Sequence, residues 1–292
     1  MKADGKSRYA STHQEKQRVT PIGILLREWR AMRKLSQLDL ALEAGISARY
    51  LSCIESGKSQ ASREMVSCLA DALGMPLRER NALMRAAGFA PQYSETPLLR
   101  PELDRMREAI EFILDHQEPY PAFVVNRRWE VVHANAAAVR VNNFLMRGRP
   151  LRHANLLHQV FDPEDFRPVI VNWPEVASRF IGLLHEDIAA APTDPAPRQL
   201  LGEILGYPDV PEDWRRRALE SEPAPILNLV FRSDEGELRF FETITTFAGP
   251  RDITLDELRI ECSFPVDERT AGICARLRQA ESGDAPMVRQ AR

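Results

Sequence analysis

The stretch Ser36–Gly57, SQLDLALEAGISARYLSCIESG, leaves the chain little choice: two short helices joined by a tight turn. Ser36 is placed to cap the first helix, its hydroxyl accepting from a backbone N–H that otherwise lacks a partner. Leu38, Ala41 and Leu42 recur at i, i+3, i+4 and are expected on one inward face. Gly45 follows, where a left-handed residue is needed and glycine takes it without a Cβ clash. Ile46 then enters the core, Ser47 caps the second helix, Leu51 and Ile54 point inward, and Gly57 ends the unit. Ser47, Ala48, Arg49, Tyr50 and Ser52 are left outward on the second helix. In a helix-turn-helix that helix enters the DNA major groove, so these side chains are expected to read DNA.

The expected roles follow from donor chemistry. Arg49 matches guanine O6 and N7 as a bidentate donor, and Ser47 and Ser52 donate to bases or phosphate. Tyr50 either packs on a sugar or thymine methyl or stays within the domain. Gln37 opens the first helix, where the helix dipole favours a phosphate. Lys58 and Arg63 flank the following loop and are expected to neutralise phosphates.

Capped helices surround this unit. Pro21 opens IGILLREWRAMRK with Ile22, Leu25, Leu26 and Trp29 on one stripe; Ser62 caps REMVSCLADALG; Pro76 starts LRERNALMRAAG, closed by Gly88. Gln37, Ala41, Gly45, Ile46, Ser47, Tyr50, Leu51, Ile54, Glu55 and Gly57 together resemble the helix-turn-helix of the XRE, or lambda-repressor-like, family. One position departs: in GKSQAS that family more often has arginine near Gln60, which puts one phosphate contact in doubt. Charge supports a nucleic-acid end. Residues 1–90 carry a balance of +6 and the remainder −9.

At 292 residues the chain suits two domains. Residues 1–20 read as a mobile arm, 21–90 as the helix-turn-helix domain and 91–100 as a proline-bearing linker. Residues 101–282 read as a second domain and 283–292 as a loose tail. A helix from about Pro101 to Gln117 packs on that domain or on a partner chain. PAFVVN and WEVVHA then read as a hairpin across Arg127–Arg128. Helices follow in NAAAVRVNNFLM, in LLHQVF capped by Asn155, from Pro174 to about Ala190, in PAPRQLLGEILG and in PEDWRRRALE. Three strands come next, ILNLVFRS, ELRFFETITTF and LRIECSF, then a short helix DERTAGICARLRQA. In LRIECSF, Leu258, Ile260, Cys262 and Phe264 alternate with Arg259, Glu261 and Ser263, so one face is expected buried and the other wet.

The expected fold is therefore multi-domain: an all-α lambda-repressor-like domain, then an α+β PAS-like domain whose antiparallel sheet carries helices on one side. NRRWEVVHANAAA (126–138), NLLHQVFDPEDF (155–166) and the strand-rich end also resemble the ligand-binding domain of MmyB-like transcription regulators. That resemblance implies a PAS-like domain enclosing a small, largely apolar ligand, with a fatty acid the leading suggestion. Phe123, Val125, Trp129, Phe144, Phe161, Phe180, Leu183, Leu184, Phe231 and Phe240 supply the apolar bulk. Arg128, His133, Asn135 and Arg179 are candidate partners for a carboxylate.

Other chemistry is thinly supported. Cys53, Cys68, Cys262 and Cys274 form no CxxC pair, which fits buried thiols in a reducing cytoplasm. The N-terminus is polar throughout, and no apolar run approaches the roughly 18 residues of a membrane span. His185–Glu186 lacks the second histidine of an HExxH zinc site, and no G-x-S-x-G, G-x-G-x-x-G or phosphate-loop pattern occurs. The reading is a cytoplasmic DNA-binding regulator, not an enzyme, with no metal and no resident cofactor beyond a bound fatty acid or similar molecule. Its expected partners are a palindromic double-stranded operator, a small apolar ligand and a second copy of itself, with no membrane. The alternative is a DNA-targeted enzyme or interaction module with no ligand cavity.

Overall fold

The computed structural model describes residues 20–214 and 228–283. The chain divides into two compact units, one comprising residues up to 75 with 79–92, the other 76–78 and 93 onward. Residues 1–19 of the expected arm, most of PEDWRRRALE, the first two residues of ILNLVFRS and residues 284–292 of the expected tail lie outside the described residues.

The first unit is helical: α1 Pro21–Met32, α2 Gln37–Glu43, α3 Ala48–Glu55, α4 Arg63–Ala72 and α5 Leu77–Ala86. Its boundaries are set by local bonds. Ser36 Oγ accepts from the Asp39 N–H at 3.1 Å while the Asp39 carboxylate accepts from the Ser36 N–H at 2.8 Å, closing a capping box. Ser47 and Ser62 cap α3 and α4 with the hydroxyl alone, accepting from the Tyr50 and Met65 N–H groups. Gly45 and Gly57 take the left-handed conformation at φ +66° and +73°.

The inward face of α2 differs from the expected one. Leu38 and Leu42 are 59% and 70% exposed, and the buried residues are Leu40, Ala41 and Ala44. Residues 37, 40, 41 and 44 also form an i, i+3, i+4, i+7 stripe, and that one faces inward. Gln37 can start it because its amide donates to the Glu55 carboxylate at 2.8 Å. A polar, half-buried residue at the start of the stripe hid the true face.

The second unit is built on one antiparallel sheet in the order β2-β1-β5-β4-β3. The strands are β1 Ala122–Val125, β2 Val131–Ala134, β3 Asn228–Ser233, β4 Gly236–Thr245 and β5 Arg259–Pro265. Between β2 and β3 the chain forms α7 Ala136–Leu145, α8 Leu156–Phe161, α9 Trp173–Ala190 and α10 Ala196–Leu205. After β4 come α11 Ile253–Glu257 and, following β5, α12 Glu268–Gly283. The helix before β1, α6 Asp104–His116, packs Ile110 and Leu114 against Ala122, Val124, Ile260 and Cys262.

Helices therefore cover both faces of the sheet, not one. β5 lies in the middle, and the consequence is direct: Glu261 and Ser263, expected wet, are 2% and 5% exposed. The expected linker is also divided between the units. Its later part is tied to the second, where the Asp252 carboxylate accepts from the Thr96 N–H at 3.1 Å and Leu98 packs beside α6. Among the described residues no helix is long and apolar enough to cross a membrane.

Candidate functional site

Two regions gather the expected site residues. The first is the outer surface of α3. Ser47 and Arg49 are exposed at its start, while Ala48, Tyr50 and Ser52 are half-buried beside them. Ser47 Oγ accepts from the Tyr50 N–H at 3.2 Å, fixing the first turn and leaving the Arg49 guanidinium outside it. Tyr50 packs partly against the helical core, so its ring is shared between inside and surface. Lys58 is exposed in the loop after Gly57.

Two expected phosphate contacts are otherwise engaged. Gln37 donates to Glu55, which is 2% exposed and also receives Arg30 Nε at 3.0 Å. A buried carboxylate needs such partners, and supplying one is the place the structure gives Gln37. Arg63 Nη2 donates to the Ala90 carbonyl at 3.3 Å, which leaves its other donors to the surface.

The second region is a cavity of about 250 Å³ between the sheet and its larger helical layer. The sheet contributes Phe123, Leu229, Phe231 and Phe240. Ala138, Val141 and Leu145 project from α7, Val160 from α8 and Phe180 from α9, with Phe166 and Ile170 closing the connection between α8 and α9. Period-2 alternation does the sorting: Phe240 pairs with Leu229 and Leu238 with Phe231, so these side chains share one face.

Of the residues expected from sequence, Phe123, Phe180, Phe231 and Phe240 meet at this cavity. Trp129, Phe161 and Leu184 are buried in the surrounding core, Phe144 and Leu183 flank it, and Val125 is buried in β1. Trp129 is a structural anchor: at φ +63° it turns the β1–β2 hairpin, and its indole N–H donates to Asp187 at 3.0 Å.

The four expected polar anchors stand elsewhere. Arg128 and His133 are exposed on the hairpin, and exposed Arg179 lies 3.6 Å from Glu186. Asn135 is buried but fully used. Its Oδ1 accepts from the Ala122 and Ala138 N–H groups, and its Nδ2 donates to the Leu114 and Tyr120 carbonyls. Nothing of it is left for a ligand.

Sequence reasoning missed the polar groups that do face the cavity: Asn142, Gln159, Glu242 and Ser263. For Glu242 the signal was present, since Leu238, Phe240 and Glu242 alternate onto one face. Glu242 is paired with Ser263 across β4 and β5, and Ser263 Oγ lies 3.3 Å from Glu242 Oε1 as a donor. Burial pushes the Glu242 carboxyl well above the usual range, and the nearby Glu261 charge adds to it. Burial likewise raises Glu261, against a smaller opposing pull from Arg259.

Residues 106–277 match the family model for the MmyB-like transcription regulator ligand binding domain, and residues 26–80 match a helix-turn-helix model. No curated protein matches the chain. Among solved structures, an RNA-binding light-oxygen-voltage receptor is 13% identical, with a TM-score of 0.27. The match covers 90% of this chain and 64% of that one.

Proposed function

Because the chain belongs to the MmyB-like transcription regulators, a DNA-binding regulator with a ligand-binding domain, we propose that filling the cavity of the second unit sets how well the α3 surface holds an operator. The observation that carries this reading is the cavity itself: a partly open, largely apolar space lined from sheet and helices, with few polar groups. The ligand is a small molecule built on an apolar chain, of which a fatty acid is one instance. Binding shifts DNA affinity only if the ligand prefers one arrangement of the protein over another. A homodimer on a palindromic operator fits the use of one recognition helix per half-site.

Filling the space tests the reading. Ala138 is buried at 4% exposure and lines the cavity from α7. Ala138→Phe is expected to weaken binding of an apolar fluorescent probe at least about tenfold, since the added ring occupies the ligand's volume. It is also expected to make operator binding insensitive to lipid extracts that alter the wild type. Unchanged probe affinity in a folded variant removes the cavity from the mechanism.

The head is tested separately. Arg49→Ala is expected to lose about 1–3 kcal/mol of discrimination between operator and random DNA while keeping salt-dependent non-specific binding. Competition gel-shifts at two salt concentrations separate these. Full specificity in the variant places base reading elsewhere.

A further inference from the structure

The polar end of the cavity has an unexpected sign. Among the described residues that line it there is no lysine, arginine or histidine, and the one ionisable side chain is the Glu242 carboxyl. Beside it Ser263 Oγ contributes a hydroxyl. Glu261 stands on the same sheet face, since its register partner Phe123 lines the cavity. It is 2% exposed, and its Oε1 has no hydrogen-bond partner. A buried carboxyl oxygen in that state costs free energy and calls for an explanation.

The nearest cation on the strand does not supply one. Arg259 donates to the Asp187 carboxylate and lies over the Trp129 ring, 5.0 Å from its centroid. Two acids thus stand on an apolar cavity face, and the charge that would complete them is missing. Burial holds Glu242 largely neutral near pH 7, so a fatty carboxylate placed here gains no counter-charge and adds the desolvation of a further acid. An ammonium group supplies the missing positive charge, draws the carboxyl beside it into its ionised form, and brings three donors, enough for carboxyl and hydroxyl together.

We propose that the cavity takes an alkyl chain ending in a protonated amine, with the ammonium group seated against Glu242 and Ser263. This rests on the reading that the cavity is the ligand site. Glu242 contacts the head group, Ser263 orients Glu242, and Glu261 is a second acid on the same sheet face whose ionisation a bound cation favours. The apolar lining takes the chain and does not distinguish one head group from another.

The test compares three probes of matched chain length, decylamine, decanol and decanoic acid, each below its micelle concentration, on the full-length protein. Binding is read by displacement of an apolar fluorescent dye. Decylamine is expected to bind at least about tenfold more tightly than decanoic acid, a charge-assisted hydrogen bond being worth that much or more. Glu242→Gln keeps size and shape and is expected to lose the amine preference while leaving decanol affinity within about twofold. Ser263→Ala is expected to weaken decylamine in the same direction and less. Decanol separates the two ideas. If it binds and Ala138→Phe blocks it, but amine and acid bind alike or the acid binds better, the cavity reading stands and the head-group proposal is overturned. If none of the three binds, the cavity reading fails and the proposal falls with it. An amine preference that survives Glu242→Gln also overturns the proposal, because the selectivity then lies in other residues.

Discussion

Gly23→Ala is expected to destabilise the helix-turn-helix unit by about 3 kcal/mol or more, a larger loss than the same change at Gly45. A Cβ at Gly23 would lie 2.1 Å from the Glu55 carbonyl oxygen and 2.8 Å from its carbon, with Thr20 Oγ1 at 3.0 Å. Those first two are backbone atoms at the end of α3, so no side chain can swing aside. The first helix has to move away from the recognition helix, and the core between Leu26, Trp29, Leu51 and Ile54 opens with it. The Arg30–Glu55 ion pair and the Gln37–Glu55 bond sit on the same contact and weaken together. Gly45→Ala provides the contrast. Nothing lies within 4 Å of its Cβ position, and the cost is the left-handed backbone alone at φ +66°, about 1 kcal/mol. Amide hydrogen exchange across α1–α3, with operator binding alongside, ranks the two variants. A Gly23→Ala protein as protected as Gly45→Ala would falsify the close approach of α1 to α3.

Asn135→Ala is expected to cost the second unit about 3–5 kcal/mol. The residue is 5% exposed and its side chain makes four hydrogen bonds, all to backbone. They join the C-terminal end of α6, the start of β1 and the first turn of α7. Alanine leaves two N–H groups and the Tyr120 carbonyl short of a partner, each worth roughly 1–3 kcal/mol when buried, while the Leu114 carbonyl keeps the Gln117 N–H at 3.3 Å. Asn135→Asp keeps both acceptor bonds but turns a negative oxygen toward the Leu114 and Tyr120 carbonyls, so it is expected to be damaging as well. Urea unfolding followed on tryptophan fluorescence in a Trp29→Phe background, which leaves only the second unit's tryptophans, measures both. A midpoint shift equivalent to less than about 1 kcal/mol, with unchanged m, would show that the junction does not depend on this side chain.

Both residues illustrate where sequence reading stopped. Gly23 gives no local sign of its role, because the atom that forbids a side chain belongs to Glu55, far along the chain. Asn135 was legible as polar and near a hairpin, which suggested a ligand partner. Its real partners are backbone groups of three elements that only the fold assembles. The same limit applied to Arg128, His133 and Arg179, whose chemistry suits a carboxylate but whose positions are exposed. In α2, two stripes of equal periodicity competed, and the choice rested on Gln37 reaching Glu55.

The sequence by itself determined what is local. Ser36, Ser47, Ser62 and Asn155 cap helices because a cap bond closes within three residues. Gly45 and Gly57 turn the chain because their φ angles cost glycine little. The helix-turn-helix and the order of strands and helices follow from such short-range rules, and so the DNA-binding end was readable. Tertiary structure alone decided which faces are buried. It placed β5 between two helical layers and so removed Glu261 and Ser263 from water. It left a cavity beside them and made its only ionisable lining side chain, among the described residues, an acid. Solvation and charge balance depend on what lies across the sheet, and that information is spread over the whole second unit.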